Sequence, residues 1–164
     1  MPNIHDSDGS SEVPILVRPI TQADAGQVLT IQRAAFVSEA HIYGDPNQPA
    51  LTQTLKQLEA ELRDAKGFVA VQGERVVGAV RAHENEGTLQ IGRVAVAPDL
   101  QGEGIGRKLL DAIENDTDCS EAELFTGSLS EANIELYKDC GYREAERIEQ
   151  GDGTAQVFMR KRLR

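Results

Sequence analysis

The chain has 164 residues, of which 40% are hydrophobic and 15 are glycine, and it carries a formal charge of −10. That length supports one domain with its own core and no metal or disulfide staple; the composition excludes wholesale disorder, and the charge argues against an electrostatic grip on nucleic acid or an anionic membrane. The longest apolar runs, such as residues 76–80, fall far short of the ~20 residues a membrane span needs, and the amino end MPNIHDSDGSSE is acidic where a signal peptide is basic, so the chain reads as soluble and cytoplasmic.

Residues 1–13 hold Asp6, Asp8 and Glu12, no Lys or Arg, and a Ser/Gly cluster, the composition of a disordered acidic tail. Residues 14–164 form the domain. It begins with a short strand at residues 15–20, after which Thr21 N-caps a helix with Asp24 in its first turn. Val28, Ile31 and Ala35 put one apolar face on that helix, which is predicted to reach about Val37; Tyr43-Gly44-Asp45-Pro46-Asn47-Gln48-Pro49 is a loop by composition. Leu51, Leu55, Leu58 and Leu62 repeat at helical spacing and predict a second, single amphipathic helix. Residues 68–72 and 75–82 alternate as strands around Gly73-Glu74, a hairpin, and a third strand runs over about 87–97. Further along are a helix at 104–115, a strand at 123–126, a helix at 131–140 stopped by Gly141, and two strands near 142–148 and 154–163. The order β-α-α-β-β-β-α-β-α-β-β predicts the α/β class, a mixed α+β sheet with helices on its faces. Cys119 and Cys140 share no metal-ligand spacing and read as free thiols, and the basic end Arg160-Lys161-Arg162-Leu163-Arg164 reads as a solvated strand end.

The chemistry concentrates in Arg93-Val94-Ala95-Val96-Ala97-Pro98-Asp99-Leu100-Gln101-Gly102-Glu103-Gly104-Ile105-Gly106-Arg107-Lys108-Leu109-Leu110: strand, tight turn, helix. Glycine at 102, 104 and 106 admits left-handed backbone and lets a ligand come close. Free N–H groups at a helix start, aided by the dipole, make an anion site suited to phosphate. A Walker A loop would need Gly, Lys and Ser or Thr where Arg107, Lys108 and Leu109 stand. A dinucleotide fingerprint counted from Gly102 also ends on Arg107 instead of glycine. What is present is Q-x-x-G-x-G, formed by Gln101, Gly104 and Gly106.

That pattern after a V-x-V-x-P strand end resembles the coenzyme A loop of the GNAT superfamily of acyl-CoA N-acyltransferases. A second block, Ser130-Glu131-Ala132-Asn133-Ile134-Glu135-Leu136-Tyr137-Lys138-Asp139-Cys140-Gly141-Tyr142, is similar to the family's A-N-x-x-L-Y-x-x-x-G-[FY] helix. The resemblance implies the GNAT-like splayed mixed sheet and acetyl-CoA as cosubstrate, with no metal. It implies that the backbone of Val94, Ala95 and Val96 pairs with the pantetheine arm like an added strand. The amides from Gln101 or Gly102 through Glu103, Gly104, Ile105 and Gly106 to Arg107 then hold the pyrophosphate, with local charge from Arg107 and Lys108. It further implies that Asn133 reaches the coenzyme arm and that Tyr137 protonates the departing thiolate, a feasible transfer from a group of pKa near 10 to one near 8.5.

An amine must lose a proton before it attacks. Glu84 and Glu86, beside the Gly87 turn, are the candidate bases; His83 is a third, and position 90, where an inward carboxylate could sit, is Gln90. Substrate walls are expected from the first two helices and their loop, with Phe36, His41 and above all Tyr43 as the residues to test. The function predicted is transfer of an acetyl group to a primary amine of a small molecule or peptide; the alternative is a non-catalytic acyl-CoA-binding or regulatory module on the same fold. With eight acidic residues against two basic ones over 99–123, a cationic amine or a peptide amino terminus is the expected acceptor, since an acidic surround concentrates cations. Neither nucleic acid nor membrane is an expected partner, and a homodimer is left open.

Overall fold

The computed structural model describes residues 13–164. The acidic tail assigned to 1–13 thus lies outside the described residues except for Val13, whose carbonyl accepts a hydrogen bond from Gln72. Strands β1 (Ile15–Pro19), β2 (Lys66–Gln72), β3 (Arg75–Asn85), β4 (Thr88–Val96), β5 (Glu121–Gly127), β6 (Arg143–Glu149) and β7 (Ala155–Arg162) build one seven-stranded sheet in the order β1-β2-β3-β4-β5-β7-β6. The helices are α1 (Ala25–Tyr43), α2 (Pro49–Thr52), α3 (Leu55–Glu61), α4 (Ile105–Asn115) and α5 (Glu131–Asp139). All neighbouring strands are antiparallel except β4 and β5. The mixed α/β sheet with the GNAT element order is the architecture observed.

Two expected helices need correction. The first extends to Tyr43, because nothing after Val37 breaks it until Gly44, which caps it in the left-handed conformation at φ 62°. The second is two helices. The leucine repeat runs across a break at Gln53, whose ψ of 133° is extended. Thr54 then starts α3 afresh with a capping box, its hydroxyl accepting from the Gln57 N–H at 3.1 Å and the Gln57 side chain returning to the Thr54 N–H at 2.9 Å. Ahead of α1, Thr21 caps a short 3-10 turn at Gln22–Asp24, and buried Asp24 receives both nitrogens of Arg18 at 2.9 Å.

The sheet's two faces are covered by different helices. Ile105, Leu109, Leu110 and Ile113 of α4 are fully buried on one face, each contributing on the order of 2 kcal/mol. Gly78 lets α4 settle there, since a β-carbon at that position would meet Ile105 Cγ2 at 2.9 Å and Leu109 Cδ1 at 3.0 Å. The other face carries α1 and α3. Arg81 of β3 is 3% exposed and fixes them to the sheet: its Nη1 donates to Gln32 at 3.0 Å, and its Nε and Nη2 reach Glu61. The β3–β4 hairpin turns through Glu86 (φ 51°) and Gly87 (φ 83°), the paired left-handed residues that a type I′ turn needs. The basic carboxyl end is less solvated than expected: Lys161 bridges to Glu114 of α4 at 2.7 Å and Arg160 pairs with Glu123 at 2.7 Å. Both cysteines are free and buried.

Candidate active site

The site comes from a failure of strand pairing. β4 and β5 pair over only three positions, Thr88 with Glu121, Leu89 with Ala122 and Gln90 with Glu123. Beyond that rung the strands diverge. A register shift in β4 against β3, with Arg93 left-handed at φ 55°, marks the bend. A non-glycine residue seldom takes that conformation, and here it sits at the fork. The β4 edge that would have paired with β5 is therefore open to a ligand.

One recess, about 750 Å³, lies at the wide end of the fork, between the second half of α1, the end of β4, the start of α4 and α5. Val94 and Val96 line it, whereas the Ala95 side chain is buried among other residues. The glycine loop forms its floor. Gly102 and Gly104 both have φ 84° with open space where a β-carbon would go. Gly106 serves closeness instead: a β-carbon there would come within 3.1 Å of Leu136 on α5. The Lys108 N–H is already bonded to the Gly104 carbonyl at 3.1 Å, so the unoccupied amides of the helix start are those before it. Gln101 and Arg107 line the recess; Glu103 and Lys108 are exposed and do not. Among the described residues Arg107 is the one cation on this lining, against Glu39, Glu131, Glu135 and Asp139. An anion held here would depend chiefly on backbone amides and the dipole.

Tyr137 and Asn133 of α5 face the same recess. Asn133 Nδ2 donates to Thr126 at 3.4 Å. Tyr137 is 6% exposed and packs edge-on against Tyr142, with centroids 6.3 Å apart. Burial, reinforced by Glu39 and Cys140, pushes its hydroxyl well above the ordinary tyrosine value. Phe36 lines the recess from α1. Tyr43 does not. Its oxygen accepts from the Leu129 N–H at 3.0 Å, and because Ser130 gives its only proton to Glu39 at 2.6 Å, the Tyr43 hydroxyl donates to Ser130 at 2.8 Å. Tyr43 is a tie between α1 and the β5–α5 loop, and this is a correction to its place as a substrate wall.

Glu84 and Glu86 stand apart from the recess. Glu84 accepts from the Thr117 hydroxyl and lies 3.7 Å from Lys66, on the α4 side of β3, while Glu86 is in the exposed hairpin turn. Neither lines a recess at the fork.

A second recess, about 580 Å³, lies on the α3 side at the closed end of the fork. Its wall is Gln90 and Arg93 of β4, Glu123 and Phe125 of β5, and Phe158 of β7, with Glu61 and Arg81 behind. Arg93 and Val94 are consecutive, so the two recesses share the bend in β4. His83 also lines it. The two carboxylates differ. Burial alone would raise the Glu61 carboxyl, but hydrogen bonds from Arg81 and Gln53, with the Arg81 charge, hold it below its ordinary value. Glu123 gives one oxygen to Arg160 and, among the described residues, leaves the other without a partner. Burial and the neighbouring Arg81 lower the Arg93 guanidinium's pKa, with Glu61 opposing. None of Glu61, Arg81, Arg93 and Glu123 stood out in the sequence as site residues, because their neighbours are 20 or more positions away. Among the described residues no group of His, Cys, Asp and Glu is placed to hold a metal, and no helix is long and apolar enough to cross a membrane.

Residues 43–163, about three quarters of the chain, match the family described as acetyltransferase (GNAT) domain. The chain is 28% identical over 130 residues to UPF0157 protein YqkA of Bacillus subtilis (strain 168), a match covering 79% of this chain and 37% of that protein. It therefore spans little more than a third of that relative's length. Among solved structures, an N-acetyltransferase of Staphylococcus aureus Mu50 superposes with a TM-score of 0.75 at 16% identity, over 92% of this chain and 99% of that one. The PaiA N-acetyltransferase of Thermoplasma acidophilum, solved in complex with coenzyme A, gives 0.71 at 16% identity, over 91% and 99%. At such identities the likeness is one of fold, and with the family match and both motif blocks it leads to one assignment: the chain belongs to the GNAT acetyltransferase family.

Proposed function

We propose that the protein is an acetyl-CoA-dependent N-acetyltransferase that acts on a primary amine by direct attack. The observation that carries this reading is the sharing of one 750 Å³ recess by the open β4 edge, the glycine loop and Tyr137. In this reading the main chain of Val94, Ala95 and Val96 pairs with the pantetheine arm, the amides between Gln101 and Arg107 take the pyrophosphate, and Asn133 and Phe36 flank the arm. The bound coenzyme supplies an acetyl carbon activated as a thioester. The amine approaches from the second recess, so attack occurs at the bend that both recesses share.

Glu123 is the group we assign to take the amine proton. It faces the second recess from the last paired rung and has a free oxygen, whereas the Glu61 oxygens are occupied and its carboxyl is held weakly basic. Tyr137 donates a hydrogen bond to the departing sulfur. Its raised pKa makes complete proton release unfavourable, so the proton moves only as the carbon–sulfur bond breaks. The same recess with no acceptor would be an acyl-CoA sensor. An amine panel with acetyl-CoA, followed by thiol release, separates the two: turnover of any member supports the enzyme, and coenzyme binding with none supports the sensor.

A further inference from the structure

We propose, building on the acetyltransferase reading, that the acceptor is an α-amino acid with an apolar or aromatic side chain, whose carboxylate is held by Arg93. Arg81 and Arg93 both belong to the second recess, but they differ in partners. All of Arg81's nitrogens are engaged by Glu61, Gln32 and Gln53. The Arg93 side chain has no hydrogen bond or ion pair among the described residues, and its Nε is buried without an acceptor. Proteins seldom leave a buried donor so. The two Nη groups have no partner either and are not buried, so they are the donors a ligand in the recess can reach. A guanidinium's planar fork fits a carboxylate or a phosphate oxygen pair.

Position narrows the ligand further. Arg93 is the left-handed residue of the bend, and Val94, next in the chain, begins the edge facing the coenzyme recess. In the proposed complex the anion on Arg93 and the amine at the acetyl carbon belong to one small molecule, a requirement an α-amino acid meets. The wall beyond is apolar. Phe125 is 55% exposed although it is a large aromatic on a strand, and it stacks with Phe158 at a centroid distance of 5.2 Å. That pair offers a seat for a nonpolar side chain, and Glu123, two residues before Phe125 on the same wall, lies beside the amine. The volume of about 580 Å³ suits such a ligand. The lining as a whole carries Glu61, Asp64 and Glu123 against Arg81 and Arg93, so the preference for a carboxylate is local to Arg93 and competes with the preference for cationic amines inferred from net charge.

The test compares kcat/KM for L-phenylalanine, L-phenylalaninamide, phenethylamine, the phosphonate analogue of phenylalanine and spermidine, with wild type and with Arg93→Ala and Arg93→Lys. Phenylalanine should exceed its amide and phenethylamine by at least about 10-fold, the discrimination one charged hydrogen-bonded contact gives. Arg93→Ala should remove that difference through KM, and Arg93→Lys should restore part of it. The proposal is overturned if the amide, phenethylamine or spermidine matches or exceeds phenylalanine, or if Arg93→Ala lowers every substrate equally. A better phosphonate would overturn the amino-acid assignment in favour of phosphorylated amines. If Arg93→Ala does not fold, the wild-type comparison of phenylalanine with its amide decides alone. Acetyl-CoA binding is measured by calorimetry on the same wild-type sample. Binding with no turnover of any member overturns this proposal, while no binding overturns the acetyltransferase reading beneath it.

Discussion

Gln90 and Glu123 are partners in the last rung that joins β4 to β5, and the sheet opens immediately beyond them. The pair fixes the apex of the fork and puts a carboxylate beside the open β4 edge, where the amine of the proposed reaction would approach. A base sought on β4 alone finds only Gln90, because the carboxylate is on the neighbouring strand. If Glu123 accepts the amine proton, Glu123→Gln should lower kcat by about 10²-fold or more and leave acetyl-CoA affinity within about twofold. A variant with wild-type turnover would remove Glu123 from the chemistry.

Glu61→Gln should behave differently. Glu61 holds the charge of Arg81, whose side chain is 4% exposed, while Glu61 itself is 38% exposed. Losing the carboxylate leaves Arg81 uncompensated, and we expect a loss of about 2–3 kcal/mol, below the range for a fully buried pair. Urea unfolding measures it. A change within about 0.5 kcal/mol, the usual surface effect, would mean that Gln32 and Gln53 suffice to hold Arg81.

For Tyr137 the sign of the pH effect follows from burial. A raised pKa keeps the proton on the phenol to higher pH, so an alkaline limb set by Tyr137 must lie above the ordinary value of about 10. Tyr137→Phe should cut kcat by about 10²-fold with little change in coenzyme affinity. An alkaline limb below pH 9 that disappears in Tyr137→Phe would show that its pKa is not raised in the working enzyme.

How far the sequence could be read depended on whether the signal was local. The β2–β3 hairpin and the glycine loop were legible because alternation, Gly73, Gly102 and Gly104 act within a few residues. The break between α2 and α3 was also written locally, as Thr54 with Gln57 three residues on, but the leucine repeat masked it. Glu84 and Glu86 looked suitable because they flank the coenzyme strand, yet strand alternation turns Glu84 toward Thr117 and away from the fork. Of the second recess only His83 and Gln90 were legible; its charged and aromatic wall was not. Arg81 meets Gln32 from 49 residues away and Phe125 meets Phe158 from 33, contacts that only the completed sheet creates. Tyr43, expected as a substrate wall, instead ties its helix to Ser130 and Leu129, partners 86 or more positions away that local composition does not reveal.

The account stands or falls on the coenzyme site at the start of α4, and calorimetric titration of acetyl-CoA into wild type, Gly104→Asn and Gly104→Asp tests it most directly. Position 104 is left-handed at φ 84° with open space around it, so Asn, which tolerates that conformation, adds bulk without charge. Asp adds a negative charge where pyrophosphate should sit, a juxtaposition costing several kcal/mol, or roughly 10²-fold or more in affinity. Wild type should bind saturably with one equivalent, Gly104→Asn more weakly, and Gly104→Asp not measurably at millimolar ligand although folded. No heat and no thermal shift with wild type, or equal affinity in Gly104→Asp, would contradict the account.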